Sequence, residues 1–355
     1  MSARSPRQTP QPERPERPEQ RLSAGTDPLD PAELTRIILG EAPEHTAAEV
    51  ATSAAISVEQ ARRLWRALGF PEAEGDAAVY TPSDAKAIRT LVESVRTGTI
   101  DLDLAVNLTR ALGQNMARLA DWEVGALVHR VEQVAEQESR DGGSADTDGS
   151  VVRGTMAIVE ELSGGFEQLM VYAWRRHLAA AIGRVMALGD ADPHTTRLTV
   201  GFADIVSFTA LSNEISRDRI GDLVEKFESR CADVVASRRG RIIKSIGDSV
   251  LFVHDDPVRA YDIAAGIIQV IGRDPRMPDV RVGLATGSVV ARLGDVFGPP
   301  VNMAARLTNV ARRNRVIVDA ETASLLPSTE FETRALPARP VRGFGVIEPV
   351  AVRRH

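Results

Sequence analysis

At 355 residues the chain is long enough for about two domains with a sizeable core, and its formal net charge of −6 argues against a broad nucleic-acid-binding field. Cys231 is the only cysteine, which excludes an intramolecular disulfide framework and a cysteine-based zinc site and suits a reducing cytosol, so a cytoplasmic location is expected. No apolar run approaches the length needed to cross a bilayer, and the arginine-containing N-terminus lacks the apolar segment of a secretory signal.

Residues 1–31 are rich in Pro, Arg, Glu and Gln and lack apolar side chains with which to form a core, so a disordered tail is expected. Residues 32–135 read as helical, with apolar positions at helical spacing in "LTRIIL", "ARRLWRALGF" and "LAVNLTRALGQNMARLADW". Ser57 with Gln60, and Thr81 with Pro82 and Asp84, have the spacing of capping boxes, and Gly69 with Pro71 stops the helix between them. Beyond "AAVY", strand alternation is missing here. The polar stretch 139–150, "SRDGGSADTDGS", predicts a break. Met170, Trp174, Leu178, Ile182 and Val185 then form a stripe on a long amphipathic helix, about 154–189, that Gly189, Asp190 and Pro193 end.

From Arg197 the pattern alternates between strand and helix. The strand "RLTVGFADI" precedes a helix with Leu223, Phe227, Cys231 and Val234 on one face. The apolar hairpin "IIKSIGDSVLFV" follows, then a helix near 256–272, the strand "DVRVGLATG", a short helix near 300–311, the strand "RVIVDA" and two strand-like pieces. Early antiparallel pairing within this alternation predicts an α+β sheet and not a doubly wound one.

Two constellations carry chemistry. Asp204 ends an apolar strand, where a carboxylate is costly unless paired, capping or metal-bound; it could cap a helix starting near Ser207. Asp248 sits at the hairpin turn, and Gly-Asp alone is an ordinary tight turn. Two carboxylates at ends of neighbouring strands repel unless a cation lies between them, and hard oxygen ligands suit Mg²⁺ or Mn²⁺, as in two-metal phosphoryl transfer. In "DVFGPPVNMAARLTN", Pro299 and Pro300 start a helix on which Asn302 and Arg306, four residues apart, share a face able to hold a phosphate and a ribose oxygen.

Together, "FADIVSFTALS", "IIKSIGDSVLFV", "VRVGLATGSVV" and "GDVFGPPVNMAARL" make residues 197–320 resemble a class III nucleotidyl cyclase catalytic domain of the adenylyl kind. The resemblance covers roughly the last 165 residues and implies a ferredoxin-like α+β domain over 191–355, preceded by an all-α regulatory domain over 32–190. It implies that Asp204 and Asp248 hold two Mg²⁺ or Mn²⁺ ions, with the Ile205 carbonyl as an extra ligand. It further implies that Lys244 and Asp295 read adenine, Asn302 orients the ribose, Arg306 stabilises charge on the α-phosphate, and Arg281 and Arg342 bind the triphosphate. Guanylyl relatives typically carry Glu and Cys where Lys244 and Asp295 stand. The reaction implied is ATP to 3′,5′-cyclic AMP and pyrophosphate, at sites shared between two head-to-tail domains, so a homodimer is expected.

The helical half resembles the N-terminal domain of actinobacterial cyclases, some of which respond to pH. His177, on the long helix, and His194, at the junction, are candidate pH-sensing groups. "AAEVATSAAISVEQARRLWRALGF" with "YTPSDAKAIRTL" also resembles a MerR-like helix-turn-helix in which Arg62, Arg63 and Arg66 would contact phosphates, but the acidic surroundings argue against a nucleic-acid partner. An inert cyclase-like binding module and a diguanylate cyclase are the remaining alternatives; the second lacks its GGDEF-type turn.

Overall fold

Side-chain capping sets the helix starts of the N-terminal part. The helices are α1 (Pro31–Leu39), α2 (Ala47–Ala54), α3 (Val58–Leu68), α4 (Pro82–Arg96), α5 (Leu102–Arg140) and α6 (Thr147–Ala187). The structure is a computed structural model that describes residues 31–72, 75–140, 147–187, 195–292 and 294–355. Ser57 with Gln60 and Thr81 with Asp84 form the two capping boxes that the sequence predicts, and Thr46 with Glu49 forms a third. Each N-cap side chain is worth about 1 kcal/mol to its helix. Gly69, left-handed at φ 91°, ends α3. The apolar faces meet in a core of Val50, Leu64, Trp65, Tyr80, Ile88 and Val106. All that "AAVY" contributes to β structure is one bridge between Tyr80 and His45.

The predicted break at 139–150 is shorter in the structure, because α5 runs to Arg140 and α6 begins at Thr147. Residues such as Thr, Asp and Ser favour loops but equally favour the first turn of a helix, so "TDGS" reads both ways. Residues 141–146 lie outside the described ones, as do the N-terminal tail through residue 30, the predicted helix stop at Gly189, Asp190 and Pro193, and His194. The chain divides into two compact units, Met1–Ala173 and Trp174–His355, within α6. No helix among the described residues is long and apolar enough to cross a membrane.

The second unit continues with β1 (Thr195–Ile205), α7 (Phe208–Ser212), α8 (Arg217–Ser237), β2 (Arg241–Ile246), β3 (Ser249–His254), α9 (Pro257–Gly272) and β4 (Val280–Arg292). Then come β5 (Asp295–Phe297), α10 (Pro299–Val310), β6 (Val316–Val318), α11 (Ala320–Leu325), β7 (Phe331–Ala335), β8 (Arg339–Val341), β9 (Gly345–Ile347) and β10 (Val350–Arg354). The sheet order is β2-β3-β1-β4-β6-β10-β7, with β5 paired to β4. Within it, β1-α8-β2-β3-α9-β4 gives the antiparallel order β2-β3-β1-β4, the ferredoxin-like arrangement that the sequence predicts. Among the described residues only β4 and β6 pair in parallel. At the C-terminus four strands stand where two pieces were expected: β8 and β9 form a separate three-residue ribbon too short to show alternation.

Helices cover both faces of this sheet, which is why its strands read as continuous apolar runs. Along β3, Val250 and Phe252 join the core under α8 and α9, while Leu251 and Val253 join the core under α10. β1 divides likewise, with Ala203 and Ile205 on one side and Leu198 and Val200 on the other. α10 sits close on β4 because Gly283 has no side chain: a Cβ there would meet Ala304 O and Thr308 N at 2.4 Å.

Candidate active site

The hairpin β2–β3 turns through Gly247 and Asp248, with Ile246 opposite Ser249. Gly247 takes φ 61°, a conformation open to glycine at little cost, so the turn is as tight as the sequence suggests. The Ile205 N–H donates to the Asp248 carbonyl at 3.1 Å, which ties the end of β1 to this turn. Asp204 and Asp248 are thereby carried on adjoining strand ends.

Their environments differ. Asp204 does not cap a helix: Ser249 Oγ donates to its Oδ1 at 2.5 Å, and Arg281 Nε donates to its Oδ2 at 2.8 Å. Antiparallel pairing of β1 with β4 sets Arg281 directly opposite Asp204. The Arg281 guanidinium also reaches the Asn309 side-chain oxygen at 3.3 Å, so it bridges β1 to the end of α10. Expected to hold a triphosphate, Arg281 thus stands beside the acidic pair and neutralises one of its charges. At Asp248, burial, and then the Asp204 charge, push the carboxyl above the usual range. Ser249 and Asn309 escaped the sequence reading, because nothing in a serine after a turn or an asparagine near a helix end signals such a contact.

Lys244 and Asp295 form a second pair. They are far apart in the chain, yet Lys244 Nζ donates to Asp295 Oδ2 at 2.5 Å. The register of β2 against β3 shifts between Ile242 and Lys244, a bulge of the kind that re-aims a strand side chain. On the other side, the Val296 N–H holds Asp295 Oδ1 at 2.8 Å. The pair therefore presents one ammonium and one carboxylate, half-buried and fixed by backbone.

Gly298 has φ 141°, outside the range of other residues, and delivers Pro299 and Pro300 into the first turn of α10. Ala304, Leu307 and Thr308 face the sheet and are buried, whereas Asn302 and Arg306 are exposed on the outer side. Among the described residues, neither is brought to Asp204 and Asp248 or to Lys244 and Asp295 by a hydrogen bond or ion pair. Arg342 is exposed in the β8–β9 turn, and His177 is exposed on α6. Cys231 is fully buried, and burial, with Glu228 second, pushes its thiol up to about 12, so it offers no nucleophile.

No group of three or more His, Cys, Asp or Glu side chains able to hold a metal occurs among the described residues. The fit to a divalent cation rests on the donors: two carboxylates, one held above its usual range by burial and then by its neighbour's charge, and the Ile205 carbonyl. An all-oxygen set this small suits Mg²⁺ or Mn²⁺, which keep water and substrate phosphate as further ligands.

The Adenylate and Guanylate cyclase catalytic domain family matches residues 191–352, and the Adenylate cyclase regulatory domain family matches residues 23–131. An adenylate cyclase of Streptomyces coelicolor is 38% identical over 359 residues, which cover 93% of this chain and 91% of that protein. The chain belongs to the class III adenylate cyclases. An adenylate cyclase of Glutamicibacter nicotianae is 36% identical, over 90% of this chain and 81% of that one. A pH-sensitive adenylate cyclase of Mycobacterium tuberculosis is 30% identical, over 80% and 70% respectively. In this class III cyclase the helical segment that suggested a helix-turn-helix lies in the regulatory-domain match, and two of its three arginines form ion pairs within the chain. Arg63 pairs with Asp103 at 2.8 Å, and Arg66 pairs with Glu59 at 2.9 Å and Glu72 at 2.7 Å.

Proposed function

We propose that this class III cyclase converts ATP to 3′,5′-cyclic AMP and pyrophosphate at two equivalent sites, each shared between two copies arranged head to tail. The observation that carries the reading is the Lys244–Asp295 pair. An ammonium can donate to a purine ring nitrogen while a carboxylate accepts from the exocyclic amine, a pattern that adenine satisfies and guanine reverses. In each site Asp204, Asp248 and the Ile205 carbonyl of one copy would hold two Mg²⁺ or Mn²⁺ ions, and Lys244, Asp295, Asn302 and Arg306 would come from the other. The exposed Asn302 and Arg306 support this division, because among the described residues neither forms a hydrogen bond or ion pair with Asp204 or Asp248 of its own chain. The apolar stripe of α6 supports a second copy as well: Trp174, Leu178, Ile182 and Val185 are all exposed.

The reaction is an in-line displacement. The ribose 3′-hydroxyl gives its proton to solvent as its oxygen attacks the α-phosphorus, the bond from that phosphorus to the oxygen bridging to the β-phosphate breaks, and pyrophosphate leaves with the bridging oxygen. Asn302 orients the ribose, and Arg306 stabilises the charge that grows on the α-phosphate oxygens. Arg281 and Arg342 bind the β- and γ-phosphates, which requires the Arg281 guanidinium to share itself between Asp204 and substrate. Bound divalent cations would lower the pKa of the 3′-hydroxyl and screen the leaving pyrophosphate.

Thermal melting with and without Mn²⁺ tests the acidic pair. Because the carboxyl of Asp248 is raised in the folded chain, the stability linked to it is present in acid and lost as pH rises through the raised value. At neutral pH the cation relieves that repulsion, so Mn²⁺ is expected to raise the melting temperature. Asp248→Asn is expected to melt higher than wild type without metal, to lose the Mn²⁺-induced shift and to lose at least ~100-fold in kcat. A full Mn²⁺ shift in Asp248→Asn would remove Asp248 from the metal site.

We further propose that the helical segment, residues 32–190, regulates the catalytic segment, 191–355, through α6, and that pH is one input. His177 is the described candidate, beside Arg176 on the exposed surface of α6. Activity between pH 5 and 8 is expected to change its profile in His177→Ala; a superimposable profile would exclude this residue.

A further inference from the structure

Three arginines border an opening of about 850 Å³ between the C-terminal end of α8, the end of β3 and the start of α9. Arg238, Arg239 and Arg259 line it together with His254, Asp255 and Asp256. Of the two acidic groups Asp256 is engaged, whereas Asp255 is exposed beside His254, whose Nδ1 accepts from the Asp256 N–H at 2.9 Å. Asp256 caps α9 by accepting from the Val258 N–H at 2.8 Å, and Asp255 Oδ1 lies 2.8 Å from His254 Nδ1. Among the described residues, none of the three guanidiniums pairs with a carboxylate; Arg238 reaches only Ser237 Oγ, at 3.3 Å.

Two backbone features hold arginines here at some cost. α8 ends in a Schellman turn, with Gly240 N–H bonded to Val235 O at 2.9 Å and Arg239 N–H to Ala236 O at 3.0 Å. Its left-handed position, which glycine usually fills, is Arg239 at φ 59°. In the middle of α9, Gly266 weakens the helix but leaves a slot for Arg238: a Cβ there would stand 2.8 Å from the Arg238 guanidinium carbon. Neither choice serves the core, since an ordinary C-cap glycine and a helical alanine would each be less costly without an arginine to place.

The opening is separate from the nucleotide site. β3 carries Ser249, next to Asp248, at one end and His254 at the other, about 17 Å apart at strand rise. Guanidinium forks match phosphate oxygens, and the volume exceeds one phosphate group. We propose that this opening binds a phosphate-bearing small molecule through Arg238, Arg239 and Arg259.

Isothermal titration with inorganic tripolyphosphate in EDTA tests the proposal. The full chain carries Arg281→Ala and Arg342→Ala, so that phosphate at the candidate catalytic site is not counted. Saturable binding of one tripolyphosphate per chain is expected. Adding Arg239→Gln and Arg259→Gln, both at exposed positions, lowers the affinity at least tenfold. Adding Gly266→Ala instead keeps every charge but displaces Arg238, and lowers it several-fold. No saturable binding in the background chain, or an unmoved affinity in either variant, overturns the proposal.

Discussion

Co-expressed in equal amounts, an Asp248→Ala chain and an Arg306→Ala chain are expected to recover about a quarter of wild-type cyclase activity, although each alone falls at least ~100-fold. Random pairing makes half of the dimers mixed. Each mixed dimer has one site that receives both lesions and one that receives neither, so half of the sites in half of the dimers work. The structure motivates the test through α10. Its buried side fixes the helix on β4 and β1, and Arg306 is left exposed, with no hydrogen bond or ion pair to its own chain's acidic pair among the described residues. Activity that stays at the level of the single variants, with mixed dimers verified by differential tagging, would mean that each chain builds its site alone.

Exchanging the pair proposed to read the purine should have an equally large effect. In Lys244→Glu with Asp295→Cys, the donor and acceptor pattern turns from adenine toward guanine, and the ratio of kcat/KM for GTP over ATP is expected to rise by at least ~10³. Lys244→Glu alone places a carboxylate where an ammonium met Asp295 at 2.5 Å, and should depress activity with both nucleotides. Asp295→Cys alone leaves the ammonium without its partner and should weaken ATP use more than it helps GTP. A double variant that keeps the wild-type preference would show that these residues pair for structure and do not face the base.

Much of the catalytic half was legible because its candidate residues sit at strand ends. Asp204 and Asp248 interrupt apolar runs that are otherwise continuous, since helices cover both faces of the sheet. The Gly-Pro-Pro entry to α10 likewise announces a helix start, and its four-residue spacing places Asn302 and Arg306 on one face. What the sequence hides depends on register. That Arg281 lies opposite Asp204 follows from the antiparallel alignment of β1 with β4, and the bulge before Lys244 follows from β2 against β3. Neither alignment leaves a local mark. β5, β8 and β9 have three residues each, below the length at which alternation can be read. In the helical half the capping boxes were visible, but the partners of Arg63 and Arg66 were not, because they depend on how α3 packs on its neighbours.

The most direct test of the account is to incubate the purified full-length chain with ATP or GTP and Mn²⁺ and to identify the product. The account expects 3′,5′-cyclic AMP and pyrophosphate from ATP, little product from GTP, and none from Asp248→Ala. ATP left uncyclised by the wild-type chain, or cyclised equally well by Asp248→Ala, would contradict it.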